Sequence, residues 1–287
     1  MKTSLSHLPQ IKQEQILQIV KIIKEVAAPE KVILFGSHAT NTWVEHRYFE
    51  NGTDYEYISD YDFLIVTKNS VLKEYDIIDK IVNRSRSLFK TPVNAIIHDV
   101  KYVNEGLEIG QYFFTDIINE GVLLSDNETI EFSSPRILSK EEMKSIAQMY
   151  YDIWFVDASD FIDGVLLYLD KKKFKKSVFL LHQAAEHFYN TVLLVFTGYK
   201  PKTHNLDKLR HYAKQLSQEL FTIFPFPIDD SEEIHLFELL KRGYVDARYK
   251  NDYSITEEEL KKLIDRIYQM QAVVQKICTE YIDTLNG

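Results

Sequence analysis

Two short pieces of the chain, Gly36-Ser37 and Asp60-Tyr61-Asp62, carry residue types that can hold phosphate and a hard divalent cation. Gly36 ends the apolar run Val32-Ile-Leu-Phe35, and Asp62 opens a second, Phe63-Leu-Ile-Val66. Both runs are short, rich in β-branched residues and bounded by turn signals, which predicts buried strands. Side chains two apart on a strand point to one face, so Asp60 and Asp62 share a face. Carboxylates held that close repel unless a cation lies between them. Mg²⁺ suits such a pair, since it binds through one or two protein carboxylates plus substrate phosphates. Glycine lets the backbone approach a phosphate closely, and backbone N–H groups with the Ser37 hydroxyl can hold it.

That combination resembles the nucleotidyltransferase superfamily of DNA polymerase beta, in its minimal bacterial branch. The signature there is a strand, Gly-Ser, a spacer and Ser-Asp-x-Asp leading a second strand. Gly36, Ser37 and Ala39 match its first half, and Ser59, Asp60 and Asp62 its second. The resemblance implies that Asp60 and Asp62 hold Mg²⁺ or Mn²⁺, and that Gly36, Ser37 and Ser59 grip a nucleoside triphosphate such as ATP. It also implies transfer of a nucleoside monophosphate to an acceptor hydroxyl. Two features depart from the pattern. The spacer from Thr40 to Ile58 is long and contains Asn51-Gly52, a turn dipeptide that predicts an inserted hairpin. On the later strand Thr91-Pro-Val-Asn94-Ala-Ile-Ile-His98-Asp99, the position of the superfamily's third carboxylate is Asn94. Asn94 is then the expected third metal contact. His98, on the same strand face, is the expected catalytic assistant.

The bulk numbers bound the rest. A chain of 287 residues with 45% hydrophobic and 13% aromatic residues can bury one large or two ordinary cores. The single cysteine, Cys278, excludes a disulfide framework and reads as a small apolar filler. A net charge of −9 argues against a general nucleic-acid binder. Met1 to Pro9 lacks the apolar segment of a signal peptide, and no stretch approaches the roughly 18 apolar residues of a spanning helix. A soluble, cytoplasmic protein without membrane association is the expectation.

The elements expected to position these groups divide into two domains. Residues 1–126 read as an α+β domain with a small mixed sheet: a helix over 11–27, strands 32–35 and 62–66, a helix over 72–89, strand 93–97, a helix near 110–120 and strand 122–124. Gly121 is read as the C′ residue of that last helix. Residues 127–138 read as a linker. Residues 139–287 read as an antiparallel all-α bundle, with capping boxes at Ser139–Glu142 and Thr256–Glu259. Its five helices are expected over about 139–169, 172–197, 205–224, 232–248 and 256–285, with Pro225 and Pro227 breaking the chain between the third and fourth.

The bundle resembles the HEPN family, often encoded beside or fused to a minimal nucleotidyltransferase. Ala184-Ala-Glu186-His-Phe-Tyr189, Gly198-Tyr-Lys-Pro201-Lys-Thr-His204-Asn205-Leu206 and Ala247-Arg248-Tyr249-Lys-Asn-Asp252-Tyr253 carry that likeness. Many members are ribonucleases that pair Arg with His four to six residues on. Here Arg248 stands in place but Tyr253 occupies the histidine position, and a phenol with a pKa near 10 is a poor proton shuttle at neutral pH. Arg248 and Asp252 are then expected to stabilise the start of the last helix or to touch a ligand. His182 and His187, five apart, are a poor metal pair on a helix and read as core or interface positions. The family likeness also implies a homodimer. The leading functional expectation is a Mg²⁺-dependent nucleotidyltransferase acting on a small-molecule or protein hydroxyl, its bundle shaping the acceptor site or dimer. The alternative is a non-catalytic nucleotide-binding regulator of toxin–antitoxin type, and a ribonuclease with an altered motif comes third.

Overall fold

The computed structural model describes residues 1–50, 53–224 and 231–286, with 46–50 and 53–57 described by their backbone alone. The chain divides into two compact units, Met1–Ile137 and Leu138–Gly287.

The first unit is built on four strands: β1 (Lys31–Phe35), β4 (Tyr61–Thr67), β5 (Val93–Asp99) and β6 (Val122–Asp126), in the order β5-β4-β1-β6. β4 runs parallel to β5, and the other pairs are antiparallel, so the sheet is mixed. A parallel neighbour requires a crossover, and α3 (Glu74–Arg86) supplies it. Val32, Leu34, Phe63, Ile65, Ala95 and Ile97 face α1 (Gln10–Ala27) and α3 in one core, which Ile16, Ile19, Ile23 and Ile81 complete. Alternation turns Ile33, Leu64 and Ile96 to the opposite face, where α4 (Val100–Glu108) and α5 (Tyr112–Glu120) pack. A short helical turn, α2 (Ser37–Thr40), follows β1. A separate ribbon of β2 (Glu45–Glu50) and β3 (Thr53–Ile58) pairs from Glu45↔Ile58 to Glu50↔Thr53. The insertion is therefore a hairpin, while Asn51-Gly52 itself lies outside the described residues.

One element is added in this unit and one local expectation is corrected. Residues 100–108, given no element by the sequence reading, form α4, which Asp99 caps by accepting from Tyr102 N–H at 2.9 Å. Gly121 is extended (φ −67°, ψ 162°) and not left-handed. Glycine is needed there for space: a Cβ would come within 2.4 Å of the Ile117 carbonyl oxygen and 2.9 Å of Ile33.

Every regular element among the described residues of the second unit is a helix. α6 (Lys140–Asp170) and α12 (Glu257–Thr284) start at the two expected capping boxes, both of which form reciprocally. Between them run α7 (Phe174–Thr197), α8 (Leu206–Lys214), α9 (Gln218–Thr222), α10 (Ser231–Arg242) and α11 (Asp246–Tyr249). α7 is the central member, packed on α6 along its length and closed by left-handed Gly198 at φ 65°. The core collects Phe188, Tyr189, Phe237, Tyr253 and Cys278, and burial pushes the Cys278 thiol up to about 12.

The two middle helices of the sequence reading are each broken. Ser217 starts a new turn by accepting from Leu220 N–H, which separates α8 from α9. Gly243 separates α10 from α11, because the chain passes so close to α7 that a Cβ would lie 2.9 Å from the carbonyl oxygens of Leu240 and Val178. Pro225 and Pro227 lie outside the described residues. Among the described residues no helix is long and apolar enough to cross a membrane. Backbone oxygens cannot move aside as a side-chain tip can. Gly243→Ala is therefore expected to cost about 1–3 kcal/mol, measured as a lower unfolding midpoint of the helical transition in denaturant.

Candidate functional site

Register decides which residues of the first unit meet. In the antiparallel pair β1/β4, Phe35 lies opposite Asp62, and in the parallel pair β4/β5, Asp62 lies opposite Asn94. Gly36-Ser37 leaves β1 at the end where Asp60-Tyr61-Asp62 enters β4, so the two sequence signals converge at one sheet edge. Gly36 takes φ 71°, ψ −153°, a region open almost only to glycine. It turns the chain into α2 and leaves no Cβ at the approach. The Ser37 hydroxyl beside it is buried and has no hydrogen-bond partner among the described residues. Asp62 is buried at 4% exposure, while Asp60 is half-buried.

The edge is braced by a residue that the sequence reading passed over. His38 is fully buried, and its Nδ1 donates to the Asp60 carbonyl at 2.9 Å. The imidazole thus ties the turn after Gly36 to the start of the carboxylate strand. Its ring lies parallel to Trp43 at 5.6 Å and against Tyr61 at 4.4 Å. From the other side His7 Nε2 donates to the His38 carbonyl at 2.9 Å, and Lys2 Nζ donates to the Ala39 carbonyl at 3.0 Å. Beneath this cluster Lys12, which the helical pattern placed among the solvated lysines, is buried and pairs with Glu45 at 2.8 Å. The one available signal was position: a histidine directly after Gly-Ser, with Trp43 five residues on.

Three expected site residues sit differently from the sequence reading. Asn94 is adjacent to Asp62, but its Nδ2 donates to Asp62 Oδ1 at 2.9 Å. A carboxylate only accepts, so the amide turns its donor, and not its carbonyl, towards Asp62. His98 lies opposite Val66, four residues along the strand from Asn94, or about 13 Å at ~3.3 Å per residue. It is buried in an aromatic cluster with Tyr102 at 4.4 Å and Phe114 at 5.8 Å, away from the carboxylates, so it does not assist there. Ser59 closes the base of the hairpin: its N–H donates to the Val44 carbonyl and its Oγ accepts from Val44 N–H, each at 2.9 Å.

Asp60 and Asp62 are two carboxylates, and among the described residues no group of three or more His, Cys, Asp or Glu could hold a metal. The donor set fits Mg²⁺ arriving with phosphate oxygens, which fill the remaining positions, better than a metal held by protein alone.

In the helical unit the motif around Arg248 is taken apart by packing. The Arg248 guanidinium lies over the rings of Phe179, Tyr244 and Tyr249 at 4.7–4.9 Å, and its Nε donates to the Tyr244 carbonyl. It therefore does not stabilise the start of α12, which Thr256 and Glu259 cap. Tyr253 is 1% exposed, and its hydroxyl donates to the Leu239 carbonyl at 2.9 Å. Burial drives the Tyr253 pKa further up, so this phenol holds its proton. Asp252 is exposed. His187 packs between Trp154 and Phe161 and bonds the Gln183 carbonyl, whereas His182 lies buried beside Glu186.

Residues 151–277 match the family model for the HEPN domain. The match spans α7 to α11 completely and most of α6 and α12, the stretch whose motifs resemble that family. No curated protein matches the chain.

Burial holds the His38 pKa down to about 4, against an ordinary 6.5. Between those values the unfolded chain takes a proton that the folded unit refuses, so stability falls as pH drops from about 6.5 to about 4 and then levels. The loss is at most about 3 kcal/mol at 1.36 kcal/mol per pKa unit. His38→Asn keeps a donor towards Asp60 without the titration. Denaturant unfolding of both proteins across that range is expected to show the wild type losing stability relative to the variant on acidification.

Proposed function

We propose that the first unit binds a nucleoside triphosphate as its Mg²⁺ complex and transfers the nucleoside monophosphate to a hydroxyl acceptor. The observation that carries this reading is the register placing Gly36-Ser37, Asp60 and Asp62 at one sheet edge. Mg²⁺, when bound with the triphosphate, supplies charge neutralisation at the α-phosphate and the pyrophosphate. Gly36 gives the phosphates a close approach, and the Ser37 hydroxyl donates to a phosphate oxygen. Asp60 and Asp62 offer the hard oxygen ligands, and Asn94 and His38 fix their orientation. In the reaction an acceptor oxygen forms a bond to the α-phosphorus in line with the bridging oxygen that leaves as pyrophosphate. The acceptor's proton passes to a carboxylate of the Asp60-Asp62 pair, since Asn94 cannot take it. The HEPN domain is proposed to shape the acceptor site or to pair two copies of the chain.

One observation favours a second reading, nucleotide binding without turnover. The position for a third acid holds an amide whose donor is already engaged with Asp62. Under the first reading Asp60→Ala and Asp62→Ala each abolish pyrophosphate release from nucleoside triphosphate in the presence of Mg²⁺. Asn94→Asp, by adding a third carboxylate, is expected to raise that release by about tenfold or more, the scale of one well-placed catalytic group. Pyrophosphate release by neither the wild type nor Asn94→Asp, with nucleotide still bound, decides for the second reading.

A further inference from the structure

The turn that follows Gly36 is too short to hold its own shape. A helix leaves its last four carbonyls without helical partners, and α2 (Ser37–Thr40) has only four residues. Its first carbonyls are served by close neighbours in the chain. The Gly36 carbonyl accepts from Ala39 and Thr40 N–H, and the Ser37 carbonyl from Thr42 N–H. The next two are served from far away in sequence. The His38 carbonyl accepts from His7 Nε2 at 2.9 Å, and the Ala39 carbonyl from Lys2 Nζ at 3.0 Å.

Both donors stand on backbone that is fixed elsewhere. Lys2 bridges to Val122 in parallel: its N–H donates to the Gly121 carbonyl at 3.0 Å, and its carbonyl accepts from Leu123 N–H at 2.8 Å. Leu5 and Leu8 are buried in the core that faces α1, and Gln13 Nε2 of α1 donates to the Leu8 carbonyl at 2.8 Å. Residues 1–8 thus form a strap from β6 to α1 that grips α2 on the way. The Lys2 ammonium lies where a helical turn favours positive charge, at its last carbonyls.

Two atoms that α2 presents to the sheet edge depend on that grip. One is the Ser37 hydroxyl, buried and without a hydrogen-bond partner among the described residues. The other is His38 Nδ1, which donates to the Asp60 carbonyl at 2.9 Å. A displaced turn would move the hydroxyl and release the start of the carboxylate strand together.

We propose that Lys2 and His7 are positioning residues of the nucleotide site, holding α2 so that Ser37 and Asp60 meet one Mg²⁺-triphosphate. The assignment rests on the nucleotide reading of this edge. It makes phosphate affinity depend on a strap that lies outside both the Gly-Ser and the Asp-x-Asp motif. Neither residue touches the ligand, so each acts through the turn alone. Methionine at position 2 keeps an unbranched stem but removes the donor, whereas arginine keeps both donor and charge.

The test is isothermal titration calorimetry of the full chain with ATP, GTP, CTP and UTP in the presence of Mg²⁺. The wild type is expected to bind at least one of them. Lys2→Met and His7→Phe are each expected to bind it about tenfold more weakly, the scale of one lost hydrogen bond that fixes a site. Lys2→Arg is expected to restore the affinity to within about twofold of the wild type, a rescue that follows from the donor. Amide hydrogen exchange of the nucleotide-free chain reads the strap directly: Ala39 and Thr40 are expected to exchange faster in Lys2→Met, and β4 at an unchanged rate. Binding that Lys2→Met leaves unchanged, a Lys2→Arg as weak as Lys2→Met, or unchanged exchange at Ala39 and Thr40 overturns this assignment alone. A wild type that binds no nucleotide overturns the nucleotide reading and this assignment with it.

Discussion

The candidate site depends on one hydrogen-bonded register. β1 and β4 pair so that Phe35 faces Asp62, and β4 and β5 so that Asp62 faces Asn94. Slipping β4 by one residue would turn Asp62 to the α1 side and Tyr61 to the α4 side. What prevents the slip is burial: every residue of β4 is buried, and its alternate side chains fill two different cores. The hydrophobic packing of the sheet and the geometry of the two carboxylates are therefore the same constraint. His38 adds a local lock by bonding the Asp60 carbonyl from the turn that Gly36 opens.

Much of this was legible in the sequence because apolar runs and glycines mark strand ends. Val32–Phe35 and Phe63–Val66 announce buried strands, and Gly36 and Asp62 stand at the ends the register joins. Less was legible where tertiary packing overrides local pattern. Gly121 stops α5 as the sequence indicates, but in extended backbone, and its missing Cβ makes room for Ile33. His98 shares a strand face with Asn94, and only the parallel register shows that Asp62 lies opposite Asn94 and not opposite His98. Lys12 fits the solvated face of α1 by period, yet the inserted hairpin brings Glu45 to it and it is buried.

The helical unit shows the same division. Capping boxes, Gly198 and Asn205 set helix ends from sequence alone, and each is used as expected. The break at Gly243 follows from a close approach to α7 that no local signal encodes, whereas Ser217 makes the other break by capping α9. The pair Arg248 and Tyr253 looked like one altered motif. Packing separates their roles: Arg248 lies exposed over aromatic rings, and Tyr253 anchors the core through Leu239.

The central claim is that the sheet edge is a site for a Mg²⁺-nucleotide, and the most direct measurement is thermal unfolding of the chain with ATP, GTP, CTP or UTP, with and without Mg²⁺. A ligand at a hundred times its dissociation constant stabilises the state it binds by about 2.7 kcal/mol, enough to move the transition of the first unit. The account predicts a stabilisation by at least one nucleotide that requires Mg²⁺ and disappears in Asp62→Ala. A transition that no nucleotide shifts, or a shift equal in the wild type and Asp62→Ala, would contradict it.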